Sequence, residues 1–284
     1  MDSSLSKIEP LANRLVHWFQ PDQSYVVALS GGVDSATVAC AGKRSAANVF
    51  TATGVGPATS QQERRDAQTV AETLEIQHFW IEPEEHLSPD YQRNDLRRCF
   101  HCKSHLFASL ATRFPKAIII TGTNFDDLSD YRPGLEAARN ASVRAPLAEL
   151  QIGKAQVRQL ASLWNLHIAD KPASPCLASR IAYGVEVTEE RLARVEAAET
   201  YLKQSLGIRD CRVRVHHDEL ARIEVDSKEI SKLFEADRAN DLVAKLRRLG
   251  FKHITVDLAG QRSGSLNPEH GIPVVQLQLP NNRS

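Results

Sequence analysis

The first half of the chain alternates between two hydrophobic spacings. Residues 4–19 carry apolar side chains three or four positions apart, which predicts an amphipathic helix. Short runs rich in β-branched residues predict buried strands at 25–29, 48–55, 78–81 and 117–121. The intervening segments predict helices at 35–44, 61–74, 98–114 and 154–166. This alternation predicts an α/β domain with a parallel sheet and helices on both faces.

The pattern changes near Gly184. Thr188 is a suitable cap for a helix over 188–205, and another helix is expected over 227–249. The stretches CRVRVHH and LARIEVD predict two strands of alternating polarity joined by a short turn, and residues 253–258 predict a third strand. We therefore expect an α/β domain over 1–183 and a smaller α+β domain over 184–284.

Composition narrows the class of protein. The chain has 284 residues and 35 Lys and Arg against 35 Asp and Glu, so no overall positive field exists to attract long nucleic acid. We expect a small-molecule substrate and neither a nucleic-acid nor a membrane partner, since no apolar stretch approaches about 20 residues. The first ten residues lack a basic start and an apolar core, so we expect a cytoplasmic location. The five cysteines are then not read as a disulfide framework.

A glycine-containing loop stands between a predicted strand and a predicted helix. It reads Ser30-Gly31-Gly32-Val33-Asp34-Ser35. Glycines let the backbone approach an anion, and the start of a helix offers unpaired N–H groups. Asp34 beside a phosphate suits Mg²⁺ binding, and Ser30 and Ser35 add hydroxyl donors. The alternative is an ordinary strand-to-helix turn, and the lysine of the Walker A pattern is missing; the full string in this context favours nucleotide binding.

The string SGGVDS resembles the phosphate loop of the PP-loop ATP pyrophosphatases. Thr121-Gly122-Thr123-Asn124, after the strand at 117–121, and Asp126-Asp127 resemble the second ATP-side segment of that family. The resemblance implies an adenine nucleotide alpha hydrolase-like fold. It also implies cleavage of ATP between the α and β phosphates, transfer of AMP to a substrate oxygen, and release of pyrophosphate.

Three cysteines are candidates for chemistry. Cys176 lies in KPASPCLASR, where two prolines predict a stiffened loop and Arg180 could favour the thiolate. Cys99 and Cys102 stand three apart, which places both thiols near one face of a helix or tight turn. The pair alone is compatible with an iron–sulfur cluster, a zinc site completed by His101 or His105, a redox pair or a structural pair. Cys40 and Cys211 are interpreted as small buried hydrophobes.

Residues 171–184, KPASPCLASRIAYG, closely resemble the signature of the LarE-type ATP-dependent sulfur transferases. Those enzymes act in the biosynthesis of the nickel-pincer nucleotide cofactor of lactate racemase. Further similar stretches are RCFHCK, TGTNFDD, VRVHHDELARIEV and GFKHITVDL…RSGSLN.

The resemblance implies that a carboxylate of a pyridinium mononucleotide is adenylated and converted to a thiocarboxylate. In some members the sulfur comes from the cysteine at position 176, which becomes dehydroalanine. In others three cysteines, here Cys99, Cys102 and Cys176, hold a [4Fe-4S] cluster.

Substrate contacts are expected from the second domain and from the end of the first. Arg212 and Arg214 are two apart on a strand and share one face, which suits a phosphate monoester, although a solvated charged face is the alternative. The resemblance associates these positions with the substrate phosphate, and Arg262 is a weaker candidate for the same pocket. Ser179 and Arg180 could position the substrate carboxyl group, and Arg180 could instead pair with an acid. A homo-oligomer is expected.

Three rival functions remain at this level. A tRNA-thiolating PP-loop enzyme also uses cysteines, but it would need a surface that binds RNA. An ammonia-using PP-loop ligase would not need Cys99, Cys102 and Cys176 together. A nucleotide-sensing or metal-carrying protein would release no pyrophosphate. For the cofactors, ATP and Mg²⁺ are expected with the cluster, and zinc or no metal is the alternative to the cluster.

Overall fold

The computed structural model describes residues 5–129, 133–172, 174–262 and 265–266. These residues form two compact units. The first contains residues 5–85 and Cys99–Ser174, and the second contains His86–Arg98 and the described residues from Pro175 onward. The second unit is therefore built from two separate stretches and begins before Gly184, where the sequence pattern changes. The division into functional domains at 183/184 stays a prediction, and residues 267–284 lie outside the described part.

Most predicted elements are present within one to three residues. The helices and strands in chain order are α1 (Leu5–His17), β1 (Ser24–Ala28), α2 (Val33–Arg44), β2 (Asn48–Gly54), α3 (Gln61–Thr73), β3 (His78–Ile81), α4 (Pro89–Gln92), α5 (Arg98–Arg113), β4 (Ile118–Ile120), α6 (Pro133–Asn140), α7 (Pro146–Glu149), α8 (Lys154–Leu163), α9 (Glu189–Leu206), β5 (Cys211–His216), β6 (Leu220–Val225), α10 (Ala236–Arg248) and β7 (His253–Val256).

The first unit has the α/β architecture that the sequence predicts. Its four strands are all parallel, in the order β3-β2-β1-β4. Alternate residues of β1 point to opposite faces: Tyr25 and Val27 join a core with α1, α2 and α8, whereas Val26 joins a core with α5 and α6. Helices therefore cover both faces, as expected for parallel strands buried on each side.

The strand order places a switch point between β1 and β4. The chain runs from β1 to β2 to β3 in one direction across the sheet, and then returns to the other side of β1 for β4. Ligands of open parallel sheets bind outside the carboxyl ends of the strands at such a point. The segments that follow β1 and β4 are the SGGVDS loop and Thr121–Asn124.

The second unit contains a three-stranded sheet in the order β5-β6-β7. β5 and β6 pair antiparallel, as their alternating sequences indicate, and β7 adds to β6 in the parallel direction. One face is apolar, as the alternating polarity of the two strands indicates, since Val213, Val215 and Ile223 are fully buried. The other face is not a solvated charged surface throughout, because Arg214 is 4% and Glu224 0% exposed.

Two groups of elements differ from the sequence prediction. The short helices α4, α6 and α7 were not predicted, although each begins at a proline, which is favoured at the first position of a helix. The single helix expected over 227–249 is two pieces: a 3₁₀ segment, Ser227–Leu233, and α10. The backbone is extended at Glu235, and neither glycine nor proline marks that break. No described helix is long and apolar enough to cross a bilayer.

Candidate active site

The SGGVDS loop joins β1 to α2 at the switch point. Gly31 has a positive φ of 70°, and a Cβ there would lie within 3.0 Å of Ala67 N and 2.9 Å of Glu63 O. Gly32 is the N-cap of α2, and because glycine has no side chain, no cap covers the first N–H groups of the helix. The uncapped helix start beside a close-packed backbone turn is a site suited to an anion.

The two serines of the loop interact with each other rather than with solvent alone. Ser35 Oγ lies 3.2 Å from both Ser30 N and Ser30 Oγ and donates to Gly32 O at 3.1 Å. Ser35 is 3% exposed. Ser35 therefore shapes the loop from within, whereas Ser30 remains at its rim.

The segment after β4 closes against the same loop. A Cβ on Gly122 would lie 2.5 Å from Ser35 N, so no side chain fits between the two segments. Asn124 is fully buried and donates from Nδ2 to Asp34 Oδ1 at 3.1 Å. The two segments predicted to form the nucleotide site are thus in contact, and Asn124 orients the carboxylate of Asp34. The Thr123 hydroxyl lies 3.1 Å from that of Thr121.

Asp126 and Asp127, which follow Asn124, hold the segment after β4 in place through hydrogen bonds. Asp127 N donates to Asn124 Oδ1 at 3.1 Å, and Asn124 N donates to Asp127 Oδ2 at 3.3 Å. Asp126 Oδ2 accepts a hydrogen bond from Lys154 N, at the start of α8, at 2.7 Å. These contacts fix the turn that presents Thr123 and Asn124.

Lys171 is a site residue to which the sequence assigned no role. Its ammonium donates to Gly31 O at 2.8 Å and pairs with Asp66 Oδ2 at 2.5 Å. Lys171 is part of the KPASPC stretch that the sequence analysis singled out. Its contact with the loop, however, is formed only in the folded chain. A lysine is therefore present beside a phosphate loop whose own sequence lacks one.

The cysteines fall into two environments. Cys40 and Cys211 are buried, as expected, and burial raises the pKa of both thiols, that of Cys211 to about 12. Cys99 is exposed, and Cys102 and Cys176 are half-buried. Cys99 and Cys102 lie three residues apart on α5, which puts them on one side of the helix. Among the described residues, no three His, Cys, Asp or Glu side chains form a group that could hold a metal ion.

Cys176 stands immediately before a 3₁₀ turn, Leu177–Arg180, in the second unit. Its carbonyl accepts hydrogen bonds from Ser179 N at 3.0 Å and Arg180 Nη1 at 3.2 Å. Arg180 is 5% exposed and pairs with Glu199, Nε to Oε1 at 2.9 Å. The guanidinium of Arg180 thus holds the backbone of Cys176. Its charge is balanced by Glu199, so Arg180 pairs with an acid, which is the alternative role that the sequence analysis gave it.

The arginines expected to bind substrate have different surroundings. Arg214 donates to Glu224 Oε2 from Nε at 3.0 Å and to Ser179 O from Nη1 at 2.8 Å. Arg262 is exposed and pairs with Asp257 at 3.2 Å. Arg212 donates to Arg262 O at 3.1 Å and forms no ion pair with a carboxylate in the described part of the chain.

Of the three arginines just described, Arg212 has the surroundings that most favour an anion. Burial lowers the pKa of its guanidinium, and the neighbouring charges of Arg214 and Arg180 lower it further. A cation that is partly desolvated and close to two like charges gains from a bound phosphate. Arg214, by contrast, orders the turn around Ser179 through its pairing with Glu224.

Residues 86–98 contribute polar side chains that the sequence did not indicate. Asn94 is fully buried and donates from Nδ2 to Ala182 O at 2.8 Å and to Val185 O at 2.7 Å. Arg98 Nη1 donates to Ala178 O at 2.8 Å. These side chains hold the stretch that follows Cys176 in place. The contacts join residues 80 or more positions apart in the chain, so no local sequence pattern reveals them.

Comparison with known proteins gives one family model and several relatives. The model described as asparagine synthase matches residues 16–98, which include the SGGVDS loop. An uncharacterised protein of Synechocystis sp. is 40% identical over 264 residues, covering 92% of this chain and 98% of the relative. The pyridinium-3,5-bisthiocarboxylic acid mononucleotide synthase of Lactiplantibacillus plantarum is 35% identical over 254 residues, covering 86% of this chain and 89% of the relative. An uncharacterised protein of Methanocaldococcus jannaschii is 27% identical over 268 residues, covering 91% of this chain and 98% of the relative.

Proposed function

The chain belongs to the LarE family of PP-loop enzymes, which use ATP, and we propose that it is a sulfur transferase that converts a carboxylate of a pyridinium mononucleotide to a thiocarboxylate. The observation that carries the proposal is 35% identity to a bisthiocarboxylic acid mononucleotide synthase over 86% of the chain. We place the reaction in the biosynthesis of the nickel-pincer nucleotide cofactor of lactate racemase.

The first step is adenylation of the substrate carboxylate. One carboxylate oxygen attacks the α-phosphorus of ATP, the bond to the bridging oxygen of the β-phosphate breaks, and pyrophosphate leaves. A carboxylate is already ionised near pH 7, so no protein base is required. The N–H groups at the start of α2 and of the Gly31-Gly32 turn would stabilise the charge on the phosphates.

The oxygen donors at this loop suit a magnesium ion. Asp34 lies in the loop, and Asn124 holds one of its carboxylate oxygens at 3.1 Å. Mg²⁺ is bound in nucleotide sites by one or two carboxylates together with phosphate oxygens. Asp34 would hold the ion, which supplies neutralising charge at the triphosphate when it is bound.

The second step replaces AMP by sulfur. A sulfur nucleophile attacks the acyl carbon, and AMP leaves with the electron pair of the broken C–O bond. If the nucleophile were the Cys176 thiolate, loss of its α-proton and cleavage of its Cβ–S bond would leave dehydroalanine and release the thiocarboxylate. Ser179 N and Arg180 donate hydrogen bonds to the carbonyl of Cys176 and so hold its backbone.

We propose instead that Cys99, Cys102 and Cys176 hold a [4Fe-4S] cluster. The three thiols would have to come together when the cluster is bound, since no such group of three is assembled among the described residues. The exposed and half-buried thiols of Cys99 and Cys102, on one side of α5, suit two adjacent iron ligands. Bound to three thiolates, such a cluster would supply one iron without a protein ligand, where an additional sulfide can be carried. Cys176 is five positions after Lys171, a separation of at most about 18 Å when the chain is extended. Because Lys171 contacts the nucleotide loop, the chain length permits Cys176 to reach the reaction.

The test is anaerobic purification followed by iron and acid-labile sulfide assays and mass spectrometry of Cys176 after turnover. We expect about four irons per chain, an unchanged Cys176, and loss of the iron in the Cys99→Ser/Cys102→Ser variant. A metal-free active protein whose Cys176 becomes dehydroalanine would reject the cluster but keep the sulfur transferase. Absence of pyrophosphate release with ATP and the pyridinium substrate would reject the function itself. Zinc in place of iron would reject the cluster and support a zinc site at these cysteines.

We also propose a cytoplasmic location and a homo-oligomeric state. The second unit exposes apolar side chains at Phe234 (60%) and Leu258 (78%), which is compatible with a subunit contact. Light scattering coupled to size-exclusion chromatography measures the mass directly. A single-chain mass of 31.5 kDa would contradict the oligomer.

A further inference from the structure

We infer that Lys171 is a positioning residue of the phosphate loop, which holds the loop in its anion-binding form and balances the charge of Asp66. The inference rests on the proposed binding of ATP at Ser30–Ser35. No residue of the loop supplies a cation, yet the ammonium of Lys171 lies 2.8 Å from Gly31 O. Lys171 is also the first residue of KPASPC, so one side chain connects the loop to the segment that leads to Cys176.

The hydrogen bond from Lys171 determines which way the Gly31 peptide faces. An anion-binding turn needs its N–H groups toward the ligand and its carbonyls away from it. Gly31 adopts its φ of 70° because it has no side chain, but the same freedom lets an unsupported glycine turn its carbonyl toward the phosphates. A donor on Gly31 O fixes the carbonyl on the side of Lys171 and leaves the N–H groups for the phosphates.

The ion pair with Asp66 has a second effect, on charge. Asp66 belongs to α3, and its Cβ lies 3.0 Å from the position that a Cβ on Gly31 would occupy. The carboxylate of Asp66 therefore stands close to the loop that would receive a polyanion. Lys171 Nζ lies 2.5 Å from Asp66 Oδ2, and the two side chains are 22% and 16% exposed, so solvent screens Asp66 only partly. Without Lys171, Asp66 would repel the triphosphate.

The position of Lys171 is itself fixed by α8. Arg158 Nη1 donates to Ala169 O at 2.7 Å, and Arg158 Nη2 donates to Lys171 O at 3.0 Å. Lys171 N donates to Ile168 O at 3.0 Å. The backbone is therefore held independently of the ammonium, so removing the ammonium should alter the loop and leave the fold intact.

The test compares the affinities of ATP and adenosine by titration calorimetry in the full chain. The Lys171→Ala variant should bind ATP about tenfold more weakly, and adenosine within about twofold of the unchanged protein, because only the phosphates contact the loop. Adding Asp66→Asn to Lys171→Ala should restore at least about threefold of the lost affinity for ATP, since the repelling charge is removed. The control is Lys43→Ala, which removes a lysine bonded to a backbone carbonyl, Glu75 O at 3.0 Å, at the far end of α2; it should change neither affinity.

Four outcomes decide the inference. Unchanged ATP affinity in Lys171→Ala would overturn it, and so would equal losses for ATP and adenosine, which indicate general damage to the unit. Failure of Asp66→Asn to restore ATP affinity would overturn the charge-balancing role. Absence of ATP binding by the unchanged protein would instead reject the proposed function, so the two failures are distinguishable.

Discussion

The carboxylate of Glu199 and the guanidinium of Arg180 form a buried ion pair with two contacts, Nε to Oε1 at 2.9 Å and Nη2 to Oε2 at 3.2 Å. The side chains are 6% and 7% exposed. Glu199 Oε1 also accepts a hydrogen bond from Val213 N at 3.1 Å. One carboxylate therefore links α9, β5 and, through Arg180, the carbonyl of Cys176.

Replacing Glu199 by Gln should lower the free energy of unfolding by about 3 kcal/mol, because Arg180 would keep a buried and uncompensated charge. Urea unfolding followed by circular dichroism measures the change. Glu235→Gln is the matched control: its partner is Arg238, both side chains are about half exposed, and a loss below about 1 kcal/mol is expected. Equal losses in the two variants would contradict the prediction.

Gly122→Ala should weaken ATP binding by about tenfold or more. The added Cβ would lie 2.5 Å from Ser35 N, so either the segment after β4 or the start of α2 must shift, and small misplacements at a reacting site are costly. Gly207→Ala is the control, since Gly207 has a φ of 66° and no atom within 4 Å of the added Cβ. It should lower stability by about 1 kcal/mol and leave ATP affinity unchanged. Normal ATP affinity in Gly122→Ala would show that the nucleotide binds elsewhere.

Arg212→Gln should raise the KM for the pyridinium mononucleotide by about tenfold while the KM for ATP changes little, because a charge-assisted contact to the substrate phosphate is lost. Steady-state rates of pyrophosphate release, with each substrate varied in turn, separate the two values. Arg262→Gln, at an exposed arginine already paired with Asp257, should have a smaller effect. A larger effect on ATP than on the mononucleotide would move Arg212 out of the substrate site.

Iodoacetamide should label Cys99 and leave Cys211 unlabelled in the folded, metal-free protein at pH 8. Burial raises the pKa of Cys211 to about 12, so only about one thiol in ten thousand is ionised there. Cys40 should behave in the same way, because burial raises the pKa of that thiol too. Peptide mass spectrometry identifies the labelled sites, and labelling of all five cysteines in urea is the control. Rapid labelling of Cys211 in the folded protein would contradict its burial.

Glu149 should make stability depend on pH in acid solution. Burial acts to raise the pKa of its carboxyl group, but hydrogen bonds from Arg144, Trp18 and Ala145 N outweigh burial and hold the pKa below its usual range. A lowered pKa in the folded state adds stability above the unfolded pKa near about 4.3, and that contribution disappears as the pH falls through the folded pKa. Glu149→Gln should therefore cost about 1 kcal/mol at pH 7, since solvent screens a side chain that is one-third exposed, and nothing near pH 2. A loss that is constant with pH would contradict this assignment.

Sequence reasoning located the elements whose pattern is local. The β-branched run predicts β1, the apolar spacing predicts α1, and the SGGVDS loop follows β1 closely in the sequence. The contacts it missed join residues far apart in the chain, such as Lys171 with Gly31 and Arg214 with Glu224. Parity correctly placed Arg212 and Arg214 on one face, but it could not show that the turn at Leu177–Arg180 contacts Arg214 while Arg212 keeps no carboxylate partner in the described part of the chain.

The discontinuity of the second unit affects how the protein can be made. Asn94 is synthesised roughly 90 residues before Ala182 and Val185, whose carbonyls it binds, so during translation its amide is hydrogen-bonded to water until those residues have been made. A gene fragment that starts at Pro175 would encode β5, β6 and β7 without Asn94 and Arg98, the side chains that bind the backbone from Ala178 to Val185. Such a fragment should be expressed as insoluble material, whereas co-expression with a peptide covering 86–98 would return part of it to solution.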